Sequence, residues 1–155
     1  MDTIILDMEW NQPFSKKRMM KSPVCLTGEI IQIGAVKLDK NYCIVDTFKI
    51  MITPQYYTKM HKKVSDLTKI TTEELQYGFS FPTAFAALKY FRAWCGKEFV
   101  FLAWGTDDIT TLHANLALHG LDSAWIPESY DIQLIFDEQI TKEKRQVSLS
   151  DAAKK

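Results

Sequence analysis

The sequence predicts an α/β domain with a mixed sheet. Three observations lead there. The first 52 residues hold three runs rich in β-branched and apolar residues, bounded by Pro, Gly and Asn. The second half carries apolar residues at helical spacing. A short apolar run, Glu98 to Trp104, separates two of those helical stretches, and such alternation marks an α/β sheet.

The first strand, within "TIILDMEWN", is Thr3 to Trp10, which lacks Gly and Pro and ends in acids. The polar, basic stretch Asn11 to Gly28 contains Pro13 and Pro23 and reads as a loop. "EIIQIGAVKLD" (Glu29 to Asp39) and "YCIVDTFKIMI" (Tyr42 to Ile52) are strands joined by a two-residue turn, which implies an antiparallel hairpin. "SDLTKITTEEL" (Ser65 to Leu75) offers helix starts at Thr71 or Thr72 ahead of Glu73 and Glu74. Ser80 to Lys97 places Phe81, Phe85, Leu88, Phe91 and Trp94 on one helical face, which reads as core. Glu98 to Trp104 is the next strand and runs into a helix from Gly105 to Gly120, with the glycine closing it. "SYDIQLIF" (Ser129 to Phe136) fits a short strand or a helix start.

At 155 residues the chain is read as one domain spanning 1–155, with an ordinary 46% apolar and 25% charged content. No apolar run approaches the roughly 20 residues of a membrane span, and the start lacks a signal-peptide pattern, so the expected location is cytoplasmic. Cys25, Cys43 and Cys95 are widely spaced and suggest neither a disulfide framework nor a zinc site. Net charge is zero, yet basic residues cluster at Ser15–Lys21, Lys59–Lys63 and Lys142–Arg145. Such clusters can neutralise phosphates, although each is also what a solvated loop looks like.

Chemistry enters with the acids. Alternate residues of a strand share a face, so Asp7 and Glu9 point one way and Met8 the other. Adjacent carboxylates repel, and a hard divalent cation between them removes that cost. The triplet alone is a weak signal, equally consistent with a strand emerging into water. A second apolar strand also stops on acids, at Asp107 and Asp108. One of them would serve as a cap at the helix start, leaving the other for a different role.

Taken together, Asp7-Met8-Glu9, "EIIQIGAVKLD", "DLTKITTEEL" and "WGTDDITTL" resemble, in order and spacing, the DEDD 3′–5′ exonucleases. The resemblance is closest to the DEDDh branch with the histone-mRNA and small-RNA exonucleases and the bacterial sporulation-inhibitor-like enzymes. It implies an RNase H-like fold, with a mixed five-stranded sheet whose first three strands form an antiparallel meander, flanked by helices. It implies a two-metal site for Mg²⁺ or Mn²⁺ with Asp7, Glu9 and Asp108 as catalytic metal ligands and Asp7 bridging both ions. Asp107 would then be the cap, with one residue of register separating the two aspartates. It also places the terminal nucleotide against Met8, Trp10, Leu67 and Ile70, positions that plain core packing would explain as well. The implied partner is the 3′ end of single-stranded RNA or DNA, cleaved to nucleoside monophosphates.

The family's third motif, a His followed five residues later by Asp on the last helix, is not expected here. None of the three histidines, His61, His113 and His119, is expected to have such a partner. His113 stands five residues after Asp108 and so off its helical face. "VSLSDAAKK" (Val147 to Lys155) reads as the start of a helix capped by Ser148 and Asp151. The expectation is therefore a domain incomplete at its C-terminus, lacking its last helix, weak or inactive alone, and prone to self-association through the surface left bare. The competing expectation is a non-catalytic nucleic-acid-binding or regulatory module that retains the fold.

Overall fold

Strand β1 (Asp2–Asn11) lies at the centre of a sheet ordered β3-β2-β1-β4-β5. The computed structural model describes residues 1–77, 83–142 and 146–155. β2 (Glu29–Leu38) and β3 (Ile44–Met51) follow as the antiparallel meander that the short turn requires. β4 (Phe99–Ala103) joins β1 in parallel, and β5 (Ser129–Asp131) joins β4 in parallel. A mixed sheet flanked by helices is thus the observed architecture.

Two helices, α1 (Lys62–Thr68) and α2 (Thr72–Gln76), cover Ser65 to Leu75, and Thr71, one of the two expected helix starts, opens α2. The break is at Lys69, whose φ of 64° puts a non-glycine residue in the left-handed region. There the Ser65 hydroxyl donates to Ile70 C=O, and the Thr71 and Glu74 side chains form a capping box that starts α2. α3 (Ala84–Cys95) begins at its Thr83 cap. The part of the expected helix that includes Phe81 lies outside the described residues.

α4 (Asp107–Leu118) follows β4 as expected. The run from Ser129 is both things at once. It is β5, then α5 (Ile132–Phe136), with Asp131 accepting from Leu134 N–H to start the helix. α6 (Leu149–Ala152) starts at Ser148, whose hydroxyl accepts from Asp151 N–H. The Lys142–Arg145 cluster lies largely outside the described residues.

One face of the sheet carries the main core. Ile4, Leu6 and Met8 of β1 pack with Ile33, Ala35, Phe48 and Phe101 under Leu88 and Phe91 of α3 and Leu112 and Leu116 of α4. Phe91 is fully buried and touches the rings of Phe48, Trp94, Phe101 and Trp125. Burying such a side chain contributes about 1.5–3 kcal/mol. Phe85, expected on this face, instead stays half-exposed with the Lys89 ammonium over its ring. A smaller cluster, Ile31, Met60, Ile70 and Leu75, packs α1 and α2 onto the sheet.

Two polar side chains fasten α4 to the sheet. Asp108 Oδ1 accepts from Met8 N–H of β1 at 2.7 Å. Asn115, two turns along the same helix, accepts from Ile30 N–H of β2 and donates to Gly28 C=O. All three cysteines are free, with Cys95 buried and its thiol pushed up to about 12 by burial. No helix among the described residues is long and apolar enough to cross a membrane.

Candidate active site

The acids of β1 take the faces that strand geometry demands. Asp7 is exposed and Glu9 half-buried, while Met8 between them is 4% exposed in the core. After Glu9 the pairing slips. Glu9 faces Gln32 but Trp10 faces Ile30, so Ile31 is an extra residue on β2. Such a bulge re-aims side chains at the end of a strand. Here Glu9 and Trp10 both border a cavity of about 330 Å³ that Lys63 and Leu67 of α1 close from the other side.

Asp108 comes to the same place from α4, pinned to the backbone of β1 between the other two acids. It is 7% exposed, while Asp107 points to solvent. Of the two aspartates, it is Asp108 that faces β1. The capping role expected for Asp107 is not seen. Thr106 precedes the helix without a side-chain cap bond, and it is Asp108 that accepts from its own backbone N–H.

The three carboxylates feel one another. Burial pushes the Asp7 carboxyl above its ordinary value. Glu9 is raised by burial and then by the negative charges of Asp7 and Asp108. Asp108 is pushed up to about 6, chiefly by burial, with repulsion from Asp7 added and the Met8 N–H opposing. None of the three forms an ion pair among the described residues. Carboxylates without an ion-pair partner, their pKa values raised by burial and repulsion, are the donor chemistry that a hard divalent cation fits. The side chains stand open, however. Among the described residues no group of three His, Cys, Asp or Glu is closed to metal-holding distance.

The nucleotide-contact expectations divide. Trp10 and Leu67 line the cavity beside Glu9, and Leu67 is 80% exposed. Met8 and Ile70 do not. Met8 belongs to the main core and Ile70 to the smaller cluster, because each falls on the inward face of its element.

His113 is exposed on α4. One match to the third motif stands earlier in the chain, since His61 and Asp66 are five residues apart. They do not form that motif's site. Asp66 pairs with Lys62 on the outer side of α1, and His61 caps that helix, its Nδ1 accepting from Lys63 N–H with Gln12 Nε2 3.2 Å away.

Several positioning groups carry no sequence signal of their own. Glu29 is fully buried, and its carboxylate accepts from the N–H groups of Gln55, Tyr56 and Tyr57. Asn11, also fully buried, donates to Tyr57 and Lys59 C=O and accepts from His61 N–H. A Glu opening an apolar strand and an Asn closing one are the only hints the sequence offers. Gly28 is required by Trp10, because a Cβ there would lie 2.3 Å from the indole Cδ1.

A central strand carrying two acids, answered by a third from the helix after β4, lies on an RNase H-like scaffold. The chain belongs to the Exonuclease (RNase T-type) family, whose model matches residues 5–155. It is 26% identical over 132 residues to the probable 3′–5′ exonuclease KapD of Bacillus subtilis (strain 168), covering 84% of this chain. The chain spans 60% of that relative's length. Its fold is similar to the nuclease domain of 3′hExo, a DEDDh family member bound to rAMP. That match has a TM-score of 0.71 at 20% identity and covers 97% of this chain and 74% of the other. It is also similar to E. coli Exonuclease I in complex with a 5cy-dA13 oligonucleotide, with a TM-score of 0.69 at 12% identity over 88% of this chain and 29% of the other.

Proposed function

We propose that this chain is a metal-dependent 3′–5′ exonuclease domain that removes nucleoside monophosphates from single-stranded RNA or DNA. One observation carries the reading. Asp7, Glu9 and Asp108 lie near enough to repel one another, and Glu9 borders a cavity walled by Trp10 and Leu67. The family and the fold agree with it.

Asp7, Glu9 and Asp108 would hold Mg²⁺ or Mn²⁺, which supplies an activated water and stabilises the leaving oxygen of an in-line displacement at phosphorus. Trp10 and Leu67 offer faces on which an unstacked base rests without its sequence being read. Lys63, at the cavity wall, is placed to meet a phosphate. Asp108 holds its place through Met8 N–H, so this acid would be the fixed ligand of the set.

Among the described residues no histidine forms a hydrogen bond or ion pair with these carboxylates, and His61 is spent on capping α1. No imidazole is thus seen poised to take the proton from the attacking water. A general base contributes typically about 10²–10⁴ in rate, so slow turnover is expected of this chain alone. The open carboxylates favour a second reading, a nucleic-acid-binding module without chemistry.

The test is calorimetric titration of Mn²⁺ into the chain and into Asp7→Asn, beside release of label from 3′- and 5′-labelled oligonucleotides. Metal binding lost in the mutant, with slow release from the 3′ end only, supports the exonuclease. Oligonucleotide binding with neither metal uptake nor release supports the second reading.

A further inference from the structure

A second cavity, of about 220 Å³, lies beyond the end of β1. Gln12 borders both it and the cavity at Glu9 and Trp10. Gln12 is three residues on from Glu9, at most about 10 Å of extended backbone. Phe14 and Tyr56 line it and are 47% and 42% exposed. Arg18 and Lys59 line it too, and neither forms an ion pair among the described residues. The Lys59 ammonium lies 5.9 Å from the centre of the Phe14 ring.

Single exposed aromatics are unremarkable on a protein surface. This pair differs in having a fixed wall behind it. Glu29 and Asn11, both fully buried, spend their hydrogen bonds on the backbone from Gln55 to His61. The Tyr57 hydroxyl adds a link, donating to Leu26 C=O and accepting from Met20 N–H. Two buried polar side chains thus hold one short loop in shape, and that loop presents Tyr56 and Lys59. Pre-ordered walls reduce the entropy a ligand must overcome.

We propose that this cavity is a second nucleotide subsite. It would take an unpaired base and its phosphate from the strand whose 3′ end rests at Glu9 and Trp10, and to that extent it rests on the function proposed above. Base faces stack on aromatic rings regardless of sequence, and Arg and Lys neutralise the linking phosphates. The volume falls below the ~300–1,000 Å³ of drug-sized sites, which suits one ring system. Unpaired cations here and unpaired acids at the neighbouring cavity give a strand two distinct ends to meet.

The experiment measures binding of a single-stranded decanucleotide and of a dinucleotide with the same 3′ end, both closed by a phosphorothioate linkage. Proteins compared are wild type, Phe14→Ala, Phe14→Trp and Arg18→Ala. Phe14→Ala is expected to weaken the decanucleotide about tenfold and leave the dinucleotide unchanged. Phe14→Trp restores binding. Arg18→Ala lowers the slope of log K against log salt by about 0.7 for the decanucleotide. Equal losses for both probes, or no loss, would overturn the subsite, as would a wild type that binds both lengths alike. Nucleotide release from unmodified oligonucleotides is scored separately. Its absence would count against the exonuclease reading while length-dependent binding still stood or fell on its own.

Discussion

At the scale of single residues, Asp108 is a carboxylate whose charge is held at a cost. Its carboxyl titrates near 3.8 in an unfolded chain and is pushed up to about 6 here. A raised folded value means that the protonated form is the favoured guest. The stability this group contributes is full below about pH 3.8 and is lost as pH rises through 6. Asp108→Asn should therefore raise the melting temperature of the metal-free chain at pH 7, by the equivalent of about 1–3 kcal/mol. The gap should close toward pH 4. Melts between pH 4 and 8 check it, and a mutant destabilised at pH 7 would contradict it. Asn keeps an oxygen for Met8 N–H, so the change isolates charge.

Gly28→Ala probes the neighbouring indole, which cannot stay where it is once a Cβ arrives. Overpacking of this kind costs about 1–3 kcal/mol. The expected readout is weaker oligonucleotide binding, together with altered Trp fluorescence.

At the scale of elements, α2 is only five residues long and depends on its capping box. Thr71→Ala should cost about 1 kcal/mol, read as a lower urea midpoint, with faster amide exchange confined to Thr72–Gln76. The strands and the two long helices were legible because their apolar periods are long and uninterrupted. The split between α1 and α2 was not, because a lysine in the left-handed region gives no local signal. The site divides in the same way. Strand alternation put Asp7 and Glu9 on one face. The buried roles of Glu29 and Asn11 stayed hidden, since the backbone groups they satisfy lie 26 to 50 residues away. Met8 and Ile70 were misplaced because a position in a motif says nothing about which face of its element looks inward.

At the scale of the whole molecule, a cation that binds the folded chain and not the unfolded one must stabilise it. At a concentration 100 times its Kd the gain is about 2.7 kcal/mol. Mn²⁺ should therefore raise the melting temperature of the wild type by several degrees, with EDTA reversing the shift and Asp7→Asn abolishing it. A wild type whose melting is indifferent to Mn²⁺ would mean that the acids do not close around an ion.

The two polar fasteners on α4 have a consequence of another kind. Leucines facing a sheet tolerate small translations, since one methyl group serves a neighbour nearly as well as the next. Asp108 and Asn115 do not, for Asp108 meets a particular backbone group on β1 and Asn115 meets particular ones at the start of β2. The helix is indexed rather than merely glued. Repacking Leu112 or Leu116 should loosen it without changing its position along β1, whereas Asn115→Leu, apolar and of similar size, would free the helix to creep. The acid at its far end would then drift away from the other two.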